Sequence, residues 1–418
     1  QAAADADEVP VGAVVVDEVS GEVIAEGRSD VFWYSTDGAT YKGLSDDVKA
    51  MLESYAVPST YWSLLFNPYP NAAPYTAQAK DGKTQFNPFA IREIRFAMNL
   101  LINRKQIVDE ICSGAGQPKY TPVTLGQPNS GRYATIASKL GITPEGNEAK
   151  ALSDIETAMQ KAAAADSKLV KQDKSWTYDG APIVVNFLIR VDDPSGRLKE
   201  GRYIADQIEK AGIKVNRQEY DRAKCSKIYR SGDPKDYEWS IYTEGWGGGQ
   251  TYAFWEVPIA QMYAPWYANM PGGGNAGQWN YVNPELDELT SDAANGRVKD
   301  VNDYYAKLFK ATEMGLKEAV RVYVADTTSY FLASKDRFNA RMAYGIGDGL
   351  NRLSSLTADV KPDASGPYKG QKVLRIAEYS ARGSLFRSSW DPIGIDGFGD
   401  TYSKVVAGPS SDMECDYS

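Results

Sequence analysis

Histidine is absent from the 418 residues. Its absence removes every Ser-His-Asp or Cys-His nucleophile, the HExxH zinc protease and the His proton shuttle. Any catalysis would rest on carboxylates, Lys, Tyr or Cys, and no nucleophile stands beside a positioned base. Cys112, Cys225 and Cys415 are far apart with no CxxC, so neither a zinc ribbon nor a dithiol redox pair is available. The odd count leaves at least one thiol over, and all three read as buried or incidental. Asp192-Asp193-Pro194 is an acid pair without a third spaced ligand, which reads as the loop before a helix. Gly272-Gly273-Gly274 lacks the following Lys-Ser/Thr of a phosphate-cradling loop. No enzyme, metal or cofactor is expected.

Binding chemistry is better represented. The segment Gly245 to Trp279 concentrates Trp246, Tyr252, Trp255, Tyr263, Trp266, Tyr267 and Trp279 among glycines, with little net charge. Core or lid packing explains each aromatic taken alone. As a group they fit an aromatic cleft for an extended or cationic ligand, because Trp faces attract ammonium and guanidinium groups. Gly245 to Gly249, lacking Cβ atoms, would let backbone N–H groups approach a ligand closely.

The elements that must position these residues belong to the α/β class. At 418 residues two or three lobes are expected. A net charge of −9 argues against a nucleic-acid partner. No stretch approaches the roughly 18 apolar residues of a membrane span. Val11 to Val16, a Ser20-Gly21 turn and Glu22 to Ala25 suggest a hairpin. That string resembles the opening strands of tRNA adenosine deaminases, but their zinc-holding His-x-Glu and Pro-Cys-x-x-Cys are missing, so only the strand reading is kept. Tyr61 to Phe66 reads as a strand before a Pro/Ala/Tyr loop. An amphipathic helix carries Ile91, Ile94, Arg95, Met98, Leu101 and Ile102, a further turn follows at Ile107, Val108 and Ile111, and an alanine-rich helix covers Ala149 to Asp166. Ile183 to Arg190, the helix Arg197 to Ala211, a Gly212 cap and the strand Ile213 to Tyr220 form a βαβ unit with a locally parallel sheet. Strands are expected at Tyr237 to Glu244 and Val320 to Ala325, with a helix through Tyr304, Leu308, Met314 and Leu316 between them.

Taken in order, these pieces resemble the extracytoplasmic solute-binding proteins of ATP-driven peptide and nickel importers, family 5. The motifs are YWSLLFNPYP…FNPFAIREIRFAMNLLINRKQIVDEICSGAGQPKYTPV, RLKEGRYIADQIEKAGIKV, EWSIYTEGWGGG…NAGQWNYVNPELDEL and VYVADTTSYFLASKDRF. They are collinear over about residues 21–350. The resemblance implies a two-lobed periplasmic-binding-protein-like fold (type II, class C) with a hinge. Residues 66–324 would be one complete lobe, and 1–65 with 325–418 would be parts of the other, which looks incomplete or rearranged. The tail GQKVLRIAEYSARGSLFRSSWDPIGIDGFGDTYSKV resembles the opening of such a binding unit, so the chain is expected to belong to a longer precursor.

The implied function is capture of an oligopeptide or similar small solute by hinge closure, for delivery to an ABC permease at the cell surface through an anchor outside this chain. Phe66, Asn67, Ala325 and Asp326 would be hinge positions. The ligand-binding candidates are Glu244, Trp246, Gly247, Gly248, Gly249, Tyr252, Trp255, Asn275, Trp279 and Arg382. Peptide-binding members carry an Asp a few residues after the Trp to pair with the ligand α-amine; here Gly247 to Gly249 stand there, and Glu244 is the nearest replacement acid. Arg382 is offered for a ligand carboxylate. The alternative reading is a binding-protein fold recruited as a structural subunit that self-assembles into a filament or lattice.

Overall fold

The computed structural model describes residues 13–16, 23–27, 33–79, 82–193, 195–247, 256–335, 338–339, 359–363, 367–373 and 376–377. It is a mixed α/β chain that divides into two compact units, Gln1–Val57 with Thr328–Ser418, and Pro58–Thr327. The sequence reading placed these divisions at 65/66 and 324/325.

In the first unit, β1 (Ala13–Val16) and β2 (Val23–Gly27) pair antiparallel as the expected hairpin. β3 (Trp33–Asp37) pairs antiparallel with residues 329–333 and parallel with Ile376–Ala377. Two short helices, Gly38–Gly43 and Asp46–Met51, follow β3, and each begins where a side chain, Asp37 or Ser45, accepts a free backbone N–H. Tyr41 stacks on Tyr330 at 4.2 Å, and Leu52 and Leu332 are buried beside them.

The second unit is built on strands β5 (Gly116–Pro118), β6 (Val184–Arg190), β7 (Lys214–Tyr220) and β8 (Ile241–Gly247), with the parts of β4 (Leu52–Phe66) and β9 (Arg321–Ser334) that fall within residues 58–327. The helices that matter to the site are α1 (Arg92–Leu101), α2 (Ser130–Lys139), α3 (Glu148–Ala165), α4 (Arg197–Glu209), α5 (Val257–Tyr263), α6 (Pro284–Ala294) and α7 (Val301–Glu318). The strand order is β7-β6-β8-β4-β9, with β5 also on β9. β6 runs parallel to β7 and β8, and β8 antiparallel to β4. The expected βαβ unit is therefore present as β6-α4-β7. Gly212 closes α4 at φ +76°, and a Cβ there would lie 2.2 Å from the Lys174 carbonyl oxygen, so only glycine fits.

Side chains alternate across this sheet, as the two-residue strand period requires. Trp62, Leu64, Phe66, Val185, Phe187, Ile189, Ile241, Val322 and Val324 share one core with Ile94, Met98, Leu101, Ile155, Met159, Ile204 and Ile208 of α1, α3 and α4. Tyr61 and Tyr323 point the other way, into a cluster with Ile259, Met262, Tyr263, Leu286 and Leu308. Leu65, Leu188 and Tyr242 meet Tyr229, Trp239, Met270 and Tyr281 in a third cluster.

Several element bounds differ from the sequence reading. The strand expected at Tyr237 to Glu244 begins only at Ile241, because Tyr237 closes the turn Pro234–Asp236 in the left-handed region. β4 starts earlier than Tyr61, and β9 runs on past Ala325. The aromatic segment contains the helix α5 and the turn Pro265–Tyr267. Among the described residues no helix is long and apolar enough to cross a membrane.

Candidate functional site

The carboxyl ends of the parallel strands β6 and β8 lie side by side, the edge at which open α/β sheets hold their ligands. β6 ends in Arg190 and β8 in Glu244, Gly245, Trp246 and Gly247. The loop from β6 to α4 is folded by its own charges: the Arg190 guanidinium donates to both oxygens of Asp192, and Arg197 Nε donates to Asp193 at 2.9 Å. The acid pair at 192 and 193 is thus taken by two arginines, in keeping with its reading as a loop before a helix. Arg197 lies so close over Gly245 that a Cβ would meet its Nη1 at 2.6 Å. A side chain at 245 would oblige the end of Arg197, a residue the sequence reading did not place in the site, to shift.

Glu244 is 2% exposed. Arg321 grips it with two parallel bonds, Nε to Oε2 at 2.8 Å and Nη2 to Oε1 at 3.0 Å, and Ser63 Oγ donates to Oε2 at 2.9 Å. Arg321 donates further to the Met262 and Asn269 carbonyls, at 2.8 and 2.5 Å. Burial alone would lower the Arg321 pKa, but the neighbouring Glu244 carboxylate outweighs it and holds the guanidinium charged. Glu244 is consequently a buried member of an internal pair, and a ligand amine would have to compete with a bidentate guanidinium for it.

Trp246 is half-buried against the Tyr61 and Tyr263 cluster and lies opposite Tyr61 in the ladder. Gly247 is exposed and open around its Cα. Gly248, Gly249, Tyr252, Trp255 and Arg382 fall outside the described residues. Asn275 and Trp279 belong to another neighbourhood. Asn275 Nδ2 donates to the Arg230 carbonyl at 2.8 Å; the Trp279 backbone N–H donates to Asp233, and its ring meets Tyr69 edge-on at 5.3 Å. Gly272 lies against the backbone of Trp279, which would be 1.8 Å from a Cβ, so this glycine run allows a close chain approach.

The four expected hinge positions are buried within the second unit. Phe66 packs on Phe89 at 4.8 Å, and Asn67 Nδ2 donates to the Pro234 and Trp239 carbonyls at 2.9 and 3.0 Å. Ala325 pairs with Pro118 across β9 and β5. Asp326 accepts from Lys119 Nζ at 2.9 Å, and Lys119 also lies over the Tyr61 ring at 4.5 Å. Burial raises the Asp326 pKa and lowers that of Lys119, each partly offset by the other's charge.

A second polar centre was not anticipated. Asn129, at the start of α2, donates from Nδ2 to Glu256 Oε1 at 3.0 Å and to the Tyr305 hydroxyl at 2.8 Å. The Tyr304 hydroxyl lies 3.5 Å from Glu256 Oε2. A lone Arg at the head of the apolar run Val320 to Val324, and a Glu between Trp255 and Val257, were the available signals for Arg321 and Glu256. Among the described residues no three acids or cysteines are grouped to hold a metal. Cys112 and Cys225 are buried, and Cys415 lies outside the described residues.

Residues 17–257 match the family model for bacterial extracellular solute-binding proteins, family 5, middle region. No curated protein matches the chain in sequence. Solved structures with a similar fold include the oligopeptide-binding protein AppA of Bacillus subtilis in complex with a nonapeptide, at TM-score 0.54 and 14% identity, covering 79% of this chain and 56% of that one. NikZ of Campylobacter jejuni, in complex with Ni(L-His), gives TM-score 0.55, 13% identity and coverage of 79% and 57%. The periplasmic oligopeptide-binding protein of Thermotoga maritima with mannohexaose bound gives 0.52, 19% identity and coverage of 73% and 53%. The chain spans just over half the length of each of these proteins.

Proposed function

The chain belongs to the bacterial extracellular solute-binding proteins, family 5, and from that premise we propose that it captures an oligopeptide or similar small solute for an ABC importer by hinge closure. The permease would be its partner, and its place the outer side of the cytoplasmic membrane. The observation that carries this reading is the carboxyl edge of β6 and β8. There a strand ends in a half-buried Trp246 and an exposed Gly247, beside the Arg190–Asp192 and Arg197–Asp193 pairs. A polar rim beside an aromatic side chain suits ligand capture, in which the closed state gains only from its higher affinity for the solute.

Native mass spectrometry of the purified chain, followed by denaturing intact mass, tests this. A monomer carrying a releasable small mass is expected, and Trp246→Ala should lower its occupancy about tenfold through loss of one aromatic contact wall. A ligand-free chain in repeating multiples, unchanged by peptide extracts, would overturn the proposal in favour of self-assembly.

A further inference from the structure

Buried carboxylates in folded proteins are normally met by a cation or protonated. Glu244 has Arg321 and Asp326 has Lys119. Glu256 has no such cation among the described residues. It is 3% exposed, it is held by the neutral amide of Asn129 and approached by the hydroxyl of Tyr304, and among the described residues no Lys or Arg forms an ion pair with it. Its two oxygens are unequally served. Oε1 has a normal bond from Asn129, whereas the 3.5 Å to Tyr304 is far longer than the roughly 2.5–2.7 Å of a hydroxyl bonded to a carboxylate. Close by, the Tyr133 hydroxyl is buried without a hydrogen-bond partner. After burial, the field of Glu256 is the strongest influence raising the Tyr133 pKa.

The two groups belong to one cluster: the Tyr133 backbone N–H donates to the carbonyl of Asn129, whose side chain holds Glu256 and Tyr305, and the Tyr133 ring meets Phe309 edge-on at 5.1 Å. Tyr305 and Phe309 of α7 already receive a guanidinium, with Arg132 Cζ 4.8 and 4.6 Å from the two ring centres. We propose that Glu256, with Tyr133 and the Asn129–Tyr304–Tyr305 frame around it, is a recognition subsite for the ammonium or guanidinium group of an organic solute. The cation would donate to Oε2 and to the Tyr133 oxygen, supplying the charge that the protein does not. The inference rests on the solute-binding reading and narrows it to cationic solutes.

The test is isothermal titration calorimetry on the full chain. The probes are acetyl-Ala-Arg-Ala-amide, acetyl-Ala-Lys-Ala-amide and the uncharged acetyl-Ala-citrulline-Ala-amide. Unblocked tri-alanine and its acetylated form separate a chain-terminal amine from a side-chain cation. At least one cationic probe should bind about tenfold tighter than its uncharged counterpart. In Glu256→Gln, which still accepts from Asn129, the difference should shrink to within about twofold. Tyr133→Phe should weaken the cationic probe about threefold and leave the neutral one unchanged, and it decides the matter should Glu256→Gln fail to fold. Equal binding of charged and uncharged probes, or a preference that survives both variants, overturns the subsite and leaves the solute-binding reading standing. Binding of none of the five probes overturns the subsite together with its peptide premise.

Discussion

The two faces of the second unit's sheet solve the same burial problem in different ways. Under α1, α3 and α4 the contacts are apolar and mainly aliphatic, with Val185, Phe187, Ile189, Ile241, Val322 and Val324 sharing a core with Ile, Leu, Met and Ala side chains and with Trp62, Phe66, Phe89 and Trp176. The single acid there, Glu200 of α4, is fully buried, and neither of its oxygens has a hydrogen-bond partner. Burial raises its pKa well above the ordinary carboxylate range, the nearby Asp193 adds to this, and Arg197 opposes it. Its raised pKa favours the neutral form of that acid. On the opposite face, where Tyr61, Tyr263 and Tyr323 cluster, the buried Glu244 is neutralised by an arginine. The first arrangement needs only a tight core, whereas the second fixes directions, because bidentate bonds and aromatic edges have geometry that alkyl contacts lack. The face that fixes directions is the one that carries Trp246.

The sharpest way to break this contrast is Arg321→Met. It strands the Glu244 charge in the interior, and unfolding free energy in urea should fall by about 3–5 kcal/mol. The double variant Arg321→Met with Glu244→Met should recover most of that loss, since an apolar pair of similar volume is often no worse than a buried ion pair. A double variant as unstable as the single one would mean that the charges themselves define the face.

Glu200 gives the next largest effect. Its folded pKa lies above its unfolded value of about 4.3, so its stabilising neutral form is fully available below that pH. Stability should then fall as pH rises, by up to about 1.4 kcal/mol per unit, until the folded pKa is passed. Glu200→Gln should flatten this slope between pH 4 and 7 in paired urea titrations. An unchanged slope would show that Glu200 is ionised in place.

A conservative truncation on the same aliphatic face, Ile189→Val, should cost only about 1 kcal/mol, because alkyl packing closes over a lost methylene more readily than an ion pair over a lost partner. A loss as large as that of Arg321→Met would remove the distinction between the faces. At the bottom of the scale, Lys150→Ala breaks an exposed pair with Asp154 one helical turn away. It should change the melting midpoint by no more than about 0.5 kcal/mol would.

Much of this was readable in the chain. The alternation in IVVNFLIR, the helical spacing from Ile91 to Ile102 and the Gly212 cap report local rules in which each residue's neighbours in sequence settle its conformation. Strand β8 was harder to bound. Tyr237 and Trp239 are as apolar as the strand residues, but they approach the sheet through a turn held by the Asn67 side chain, a contact between segments 172 residues apart. Glu244 was singled out as the acid nearest to the missing ligand Asp, whereas the structure places it in a buried pair. Its partner was invisible because Arg321 lies 77 positions further along, and the Asn129–Glu256 contact spans 127.

By itself, then, the sequence determined what depends on composition and short-range order: no histidine chemistry, an α/β chain, a βαβ unit, and a collinear set of motifs that marks the family. Tertiary structure alone decided which charges meet. The strand order β8-β4-β9 brings Glu244, Ser63 and Arg321 into contact across neighbouring strands. The burial of Glu256 likewise follows from α2, α5 and α7 packing around it. Pairing of buried charges is set by distance in space and by the loss of water around them, and neither is a property of residues adjacent in the chain.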